Sequence, residues 1–163
     1  GTNFVQAQDL INRKWSLENG AVFADFLKEI EDFIAAHEGT ENGFKLEFAN
    51  LKEALSSYRE IMDAMAGYKA AKKVDYYQVF ARRILTATGQ LYGGYCLLDQ
   101  ALIAQKRADE LGPDHWDYHF YYGKVLSARY YLRNVVPNVS LTARLVKEGD
   151  DTVIQAPIEI FEY

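Results

Sequence analysis

One cysteine is all the thiol this sequence holds. Cys96 stands alone among 163 residues, so no internal disulfide framework can form, and the expected setting is a reducing cytoplasm. Proline is nearly as scarce: Pro113, Pro137 and Pro157 are the three present, all in the C-terminal third. Everything before Pro113 is therefore free to form long, unbroken helix. Long apolar runs are missing too. Charges interrupt each one well before the ~20 residues that a transmembrane helix requires, and no basic leader followed by an apolar stretch signals secretion. Excess positive charge is also lacking. Eighteen Lys and Arg against 23 Asp and Glu leave a net charge of −5 and a pI near 5.2. The basic pairs Lys72-Lys73 and Arg82-Arg83 are short, so no basic face offers itself to a nucleic acid backbone.

What the sequence has is apolar and aromatic residues, 49% and 14%, ample for a core in a chain of one-domain size. Four stretches carry helical periodicity. Between Gly20 and Gly39, Phe23, Phe26, Leu27, Ile30, Phe33 and Ile34 form one stripe, with Lys28, Glu29, Glu31 and Asp32 opposite. Gly39 suits a helix end, and Gly39–Gly43 reads as a loop. Next, Phe44, Phe48, Leu51, Leu55, Tyr58, Met62 and Met65 alternate steps of four and three, a seam that needs a partner helix. Asp75 is placed to cap a third helix, on which Tyr77, Ala81, Ile84, Thr88, Leu91, Tyr95, Leu98 and Leu102 repeat that alternation up to Gly112-Pro113. Asp114 is available to cap a fourth, from about His115 to Asn134, loaded with Trp116, Tyr118, Phe120, Tyr121, Tyr122, Tyr130 and Tyr131.

A shorter helix over "NFVQAQDLINRK" precedes these, separated from them by Asn19-Gly20. After Pro137 comes a short amphipathic turn, and past Gly149 the tail "TVIQAPIEIFEY" reads as extended, laid on the bundle surface. The expected fold is all-α: an up-down four-helix bundle with a short N-terminal helix and an extended C-terminal tail.

Chemistry is sparse. "HWDYH" sets His115 and His119 one helical turn apart, a metal-ligand spacing, but no third ligand and no intervening zincin glutamate accompany them. A di-iron bundle needs Glu three residues before His, and Ile34, Gly112 and Trp116 stand before His37, His115 and His119. No metal site is expected. Gly89, Gly93 and Gly94 lie inside the third long helix, where close approach of a neighbouring helix explains them better than a ligand. Cys96, beside Leu97 and Leu98, reads as an inert buried thiol. The aromatic fourth helix reads as core or interface before it reads as an acyl pocket.

Two runs bear a family resemblance. "GTNFVQAQDLINRK" resembles the end of the catalytic domain of FAD-dependent acyl-CoA dehydrogenases, where a Tyr-Glu-Gly-Thr run leads into a helix. "FYYGKVLSARYYLRNVVP", Phe120 to Pro137, resembles the hallmark of an extra C-terminal helical domain in a subgroup of these enzymes, with Gly123, Lys124, Ala128 and Arg129 its most specific part. "GDDTVIQAPIEIF" is similar to that domain's ending, and "DYYQVFARRILTATGQLYGGYCLLDQALIA" to its long central helix. The resemblance implies a parent that converts acyl-CoA to trans-2-enoyl-CoA with FAD, and then passes electrons to an electron-transfer flavoprotein. It is expected to be a homo-oligomer.

In the family the catalytic base is the glutamate directly before Gly-Thr. By resemblance this chain starts just after it, holds no catalytic residue, and binds no cofactor when isolated. Gly1 itself is either native or an expression scar. Residues 1–15 would end the catalytic domain and 16–163 form the helical domain. Thr2, Asn3 and Phe4 would be the cofactor-binding residues, at a helix start suited to flavin or pyrophosphate oxygens. The domain's expected task is to brace the catalytic domain or the oligomer. The alternative is a free-standing helical interaction or acyl-binding module without catalysis.

Overall fold

The computed structural model describes residues 2–39 and 43–162. The question over Gly1 and the middle of the loop expected at Gly39–Gly43 therefore lie outside the described residues. Helix α1 (Asn3–Asn12) leads into a short 3-10 turn (Lys14–Gly20), α2 (Ala21–His37), α3 (Lys45–Ala70), α4 (Asp75–Leu111), α5 (Tyr118–Asn134) and α6 (Asn138–Glu148). A single helical turn, α7 (Thr152–Gln155), and a 3-10 turn (Ile158–Phe161) close the chain. No strand occurs among the described residues, and the fold is all-α.

The sequence stripes become the buried faces. Phe23, Leu27, Ile30 and Ile34 of α2 are buried, with Phe26 and Phe33 packed beside them. From the α3 seam Phe44, Phe48, Leu51, Leu55, Tyr58 and Met65 are buried, and Met62 lies half-buried against the same core. On α4, Ala81, Ile84, Leu91 and Leu98 are buried. This helix runs 37 residues, roughly 55 Å at 1.5 Å per residue, and forms the axis against which α1, α3, α5 and α6 all pack.

Local signals mark the ends. Glu18, Asn19 and Gly20 all take positive φ, so the helical path breaks where Asn19-Gly20 is expected to separate α1 from α2. Gly112, at φ 76°, terminates α4 just before Pro113. Asp75 caps nothing: it is the first residue of α4, Val74 holds the cap position, and the carboxylate acts only as a charge at the positive end of the helix dipole. The fourth long helix starts later than His115. Gly112 to Asp117 form turns, with the His115 N–H on the Gly112 carbonyl at 3.2 Å, and no side chain caps α5.

Two further expectations are corrected. The segment after Pro137 is a full helix, α6, whose Val139, Ala143 and Val146 are buried against α3 and α4, so the bundle gains another member. The tail is extended only at Ala156 and Pro157 (ψ 124° and 143°), between the α7 turn and the 3-10 turn. No helix among the described residues is long and apolar enough to cross a membrane.

Candidate functional site

Thr2, Asn3 and Phe4 form the first turn of α1, and all three are exposed, Phe4 by 51%. The Gln6 N–H reaches the Thr2 carbonyl at 3.0 Å. The N–H groups ahead of it have no intrahelical acceptor, no side chain caps them, and the first turn carries no acid. Ala7, Leu10 and Ile11 anchor the rest of α1 in the core shared with α4. The result is a rigidly held helix start with free donors, suited to oxygen or anionic ligands.

A groove of about 490 Å³ opens between α1, the end of α3 and the start of α4, lined among others by Gln8, Ile11, Trp15, Met62, Lys69 and Tyr77. Gln8 Nε2 and Trp15 Nε1 are buried there without hydrogen-bond partners. The Gln8 carbonyl oxygen accepts from Asn12 Nδ2 at 2.9 Å, and the Tyr77 hydroxyl donates to the Met65 carbonyl at 3.1 Å. The lining contains no histidine, cysteine or carboxylate. It can hold a molecule, but the hydroxyls on it, Ser16 and Tyr77, are bound to backbone carbonyls and no base stands beside either.

The structure separates the two histidines of "HWDYH". His115 sits in the turn ahead of α5, its Nδ1 accepting the Asp117 N–H at 3.1 Å, while His119 is exposed on the helix itself. The one-turn ligand geometry therefore does not exist. No group of three or more His, Cys, Asp or Glu comes together among the described residues. Cys96 is half-buried rather than buried, and its hydrogen bond with the neighbouring Tyr92 phenol pushes that phenol's pKa up.

The helix glycines divide. A Cβ on Gly94 would lie 2.6 Å from Val136 Cγ2, and one on Gly93 2.8 Å from the Tyr131 hydroxyl. Both serve close helix packing. Gly89 meets nothing within 4 Å.

Half of the aromatics of α5, and Trp116 just ahead of it, turn outward. Trp116, Phe120 and Tyr130 are 84%, 62% and 67% exposed, and the helix buries Val125, Ala128 and Leu132 instead. Arg129, half-buried, stacks over the Phe44 ring at 5.3 Å. Glu47 escaped sequence reasoning altogether. It is fully buried on α3 and paired with Arg133 of α5, and the only sequence hint is a lone acid between Leu46 and Phe48.

Residues 26–157 match the family described as "Acetyl-CoA dehydrogenase C-terminal like". Two butyryl-CoA dehydrogenases of Syntrophomonas wolfei are 40% and 38% identical to this chain, over 99% and 98% of its length and 26% of theirs. A "Broad-specificity linear acyl-CoA dehydrogenase FadE5" of Mycobacterium tuberculosis is 29% identical over 95% of the chain and 26% of its own length. The chain thus spans about a quarter of the length of the curated relatives it matches. With a helical bundle that fits this assignment and a match covering most of its residues, the chain belongs to the acetyl-CoA dehydrogenase C-terminal-like family, the helical C-terminal domain of acyl-CoA dehydrogenases.

Proposed function

We propose that this chain serves as the C-terminal helical domain of an FAD-dependent acyl-CoA dehydrogenase, bracing the catalytic part of the enzyme rather than reacting itself. The observation that carries this reading is the 40% identity to a butyryl-CoA dehydrogenase across nearly the whole chain. The one described groove that brings carboxylates, a serine and cations together, between α2 and α3, has its charges paired as Arg59–Glu31 and Lys52–Glu38. In this reading residues 1–15 are the tether to the catalytic domain, and 16–163 the brace. The outward aromatics Trp116, Phe120 and Tyr130 supply a contact face.

When bound in the parent, FAD would supply the hydride acceptor for dehydrogenation of the acyl thioester, and a carboxylate from the catalytic part would serve as the base. Thr2, Asn3 and Phe4 would contribute the free N–H groups of the α1 start to cofactor oxygens. The exposed, acid-free first turn suits that task. α1, held to α4 by Ala7, Leu10 and Ile11, would keep those donors in register with the bundle. The product would be a trans-2-enoyl-CoA, with electrons passed to an electron-transfer flavoprotein and the enzyme working as a homo-oligomer.

The test compares two proteins. The chain alone should purify colourless and fail to reduce a dye acceptor with butyryl-CoA. The complete open reading frame that contains it should be yellow and active. A flavin absorbance on the chain alone, or a colourless and inactive full-length product, would overturn the assignment.

A further inference from the structure

A groove of about 630 Å³ runs between α4 and α6, lined by the apolar Val79, Leu141 and Leu145, by Arg82 and Arg83, and by four neutral polar side chains. Arg82 and Arg83 are exposed, and neither makes an ion pair among the described residues, although the chain as a whole is acidic. No carboxylate lines the groove. Its chemistry is therefore a mainly polar groove that offers three aliphatic side chains, Val79, Leu141 and Leu145, beside two unneutralised cations.

The C-terminal segment has the opposite character. Ile158, Ile160 and Phe161 are 67%, 54% and 70% exposed, and Glu159 and Glu162 are exposed without ion-pair partners among the described residues. In a 3-10 turn residues three apart eclipse one another, so Ile158 and Phe161 line one edge of the turn over Ile158–Phe161, and Glu159 and Glu162 line the next. Within one copy, the groove stays open while the tail keeps its apolar edge in water. Each lacks what the other offers.

We infer that residues 157–162 of one copy of this chain dock into the α4–α6 groove of a second copy, Ile158 and Phe161 against Val79, Leu141 and Leu145, and Glu159 and Glu162 against Arg82 and Arg83. A reciprocal exchange buries both tails at once and closes as a two-fold dimer, with the same surfaces used on each side. The peptide mode is a short apolar-acidic segment read by pockets and by a charged rim. This inference is independent of the flavin chemistry proposed above, and its test involves neither FAD nor acyl-CoA.

Sedimentation of the chain over a concentration series should show a reversible monomer–dimer equilibrium. Ending the chain after Gln155, or making Arg82→Glu with Arg83→Glu, should shift it to monomer while far-UV circular dichroism stays unchanged. Leu141→Glu reads out the same groove should the double arginine variant not fold. A fluorescein-labelled peptide of residues 156–163 should bind the shortened chain, weaken with salt, and lose roughly tenfold or more in affinity against the double arginine variant. A peptide with E159R and E162R should recover binding to that variant. A wild-type chain that remains monomeric throughout would overturn the inference, even if the peptide binds the shortened chain, because the tail would then fold into its own groove. Dimerisation unaffected by the groove and tail changes would overturn it equally.

Discussion

Arg133 donates from Nε to Glu47 Oε1 at 2.8 Å, and its terminal guanidinium nitrogen lies 2.7 Å from the same oxygen as an ion pair. The two residues lie 86 positions apart and join α3 to α5. Glu47 is fully buried, whereas the Arg133 side chain is 45% exposed, so the carboxylate depends on a partner that reaches in from the surface. The other Glu47 oxygen, Oε2, has no hydrogen bond.

Removing the cation should cost far more than removing the pair. Arg133→Met leaves a buried, uncompensated carboxylate and should destabilise the chain by about 3–5 kcal/mol. Glu47→Leu combined with Arg133→Met should recover most of that loss, because the desolvated charge is gone. Urea unfolding of the single and double variants checks both. A single variant within ~0.5 kcal/mol of wild type would show the pair to be energetically idle.

The three glycines of α4 should answer alanine in different directions. Gly89 has open space where a Cβ would go, so Gly89→Ala should stabilise by up to about 1 kcal/mol through helix propensity. At Gly93 the obstacle is the far end of the Tyr131 side chain, which can swing aside, and the gain and the loss should nearly cancel. At Gly94 the obstacle is Val136, held where α5 passes into α6, with Leu51 and Leu132 close by at 3.5 Å. Gly94→Ala should destabilise by about 1–3 kcal/mol. Thermal melts of the three variants give the order directly.

Alkali should unfold the protein partly through Tyr58. Burial pushes this phenol up to about 12 from its ordinary 10.0, and its hydroxyl shares a 2.6 Å hydrogen bond with Thr88. The folded state holds the proton more tightly than the unfolded chain does. The stability this provides is therefore complete below pH 10 and is lost as the pH rises through about 12. Tyr58→Phe should flatten the decline between about pH 9 and about pH 12 by up to about 3 kcal/mol. Tyr95, raised to about 12 first by its hydrogen bond to Glu29, is far less buried, and Tyr95→Phe should change the curve much less.

The outward face of α5 should be silent in the isolated chain and audible in the whole enzyme. Phe120 and Tyr130 are 62% and 67% exposed, so Phe120→Ala and Tyr130→Ala should move the stability of this chain by no more than about 0.5 kcal/mol. If the domain braces a catalytic part through this face, the same changes should lower the melting temperature of the full-length protein. Equal effects in both would remove α5 from the interface.

Much of the bundle was legible because helices of this kind bury one stripe. The α3 seam from Phe44 to Met65 and the α4 stripe from Ala81 to Leu98 went to the core as their spacing requires. The misread parts have a physical cause. In the tail, Val153, Ile154, Ile158, Ile160 and Phe161 imitate a strand, but no strand among the described residues is there to hold it extended, and local helical turns form instead. α6 was short enough to pass for a turn, and its helix is supported by tertiary contact, with Val139, Ala143 and Val146 buried and Ser140 on Ser57 at 3.0 Å. Asp75 and Asp114 looked like caps, yet neither α4 nor α5 has a capping hydrogen bond.

The candidate site was legible only as a position on a helix. The sequence motif pointed to Thr2, Asn3 and Phe4. It could not show that α1 is clamped to α4 by Ala7, Leu10 and Ile11, or that Gln8 and Trp15 leave unpartnered donors over a groove. The sequence by itself determined the all-α class, the long uninterrupted α4 and the break at Asn19-Gly20, because these follow from periodicity, missing proline and backbone freedom within a few residues. Only the tertiary structure decided that Glu47 is an interior charge, that Gly94 is a point of helix contact and that Phe120 and Tyr130 of α5 face outward while Tyr121 and Tyr131 pack on the core. Each of those depends on which distant segment arrives at the same place, and local spacing carries no record of that.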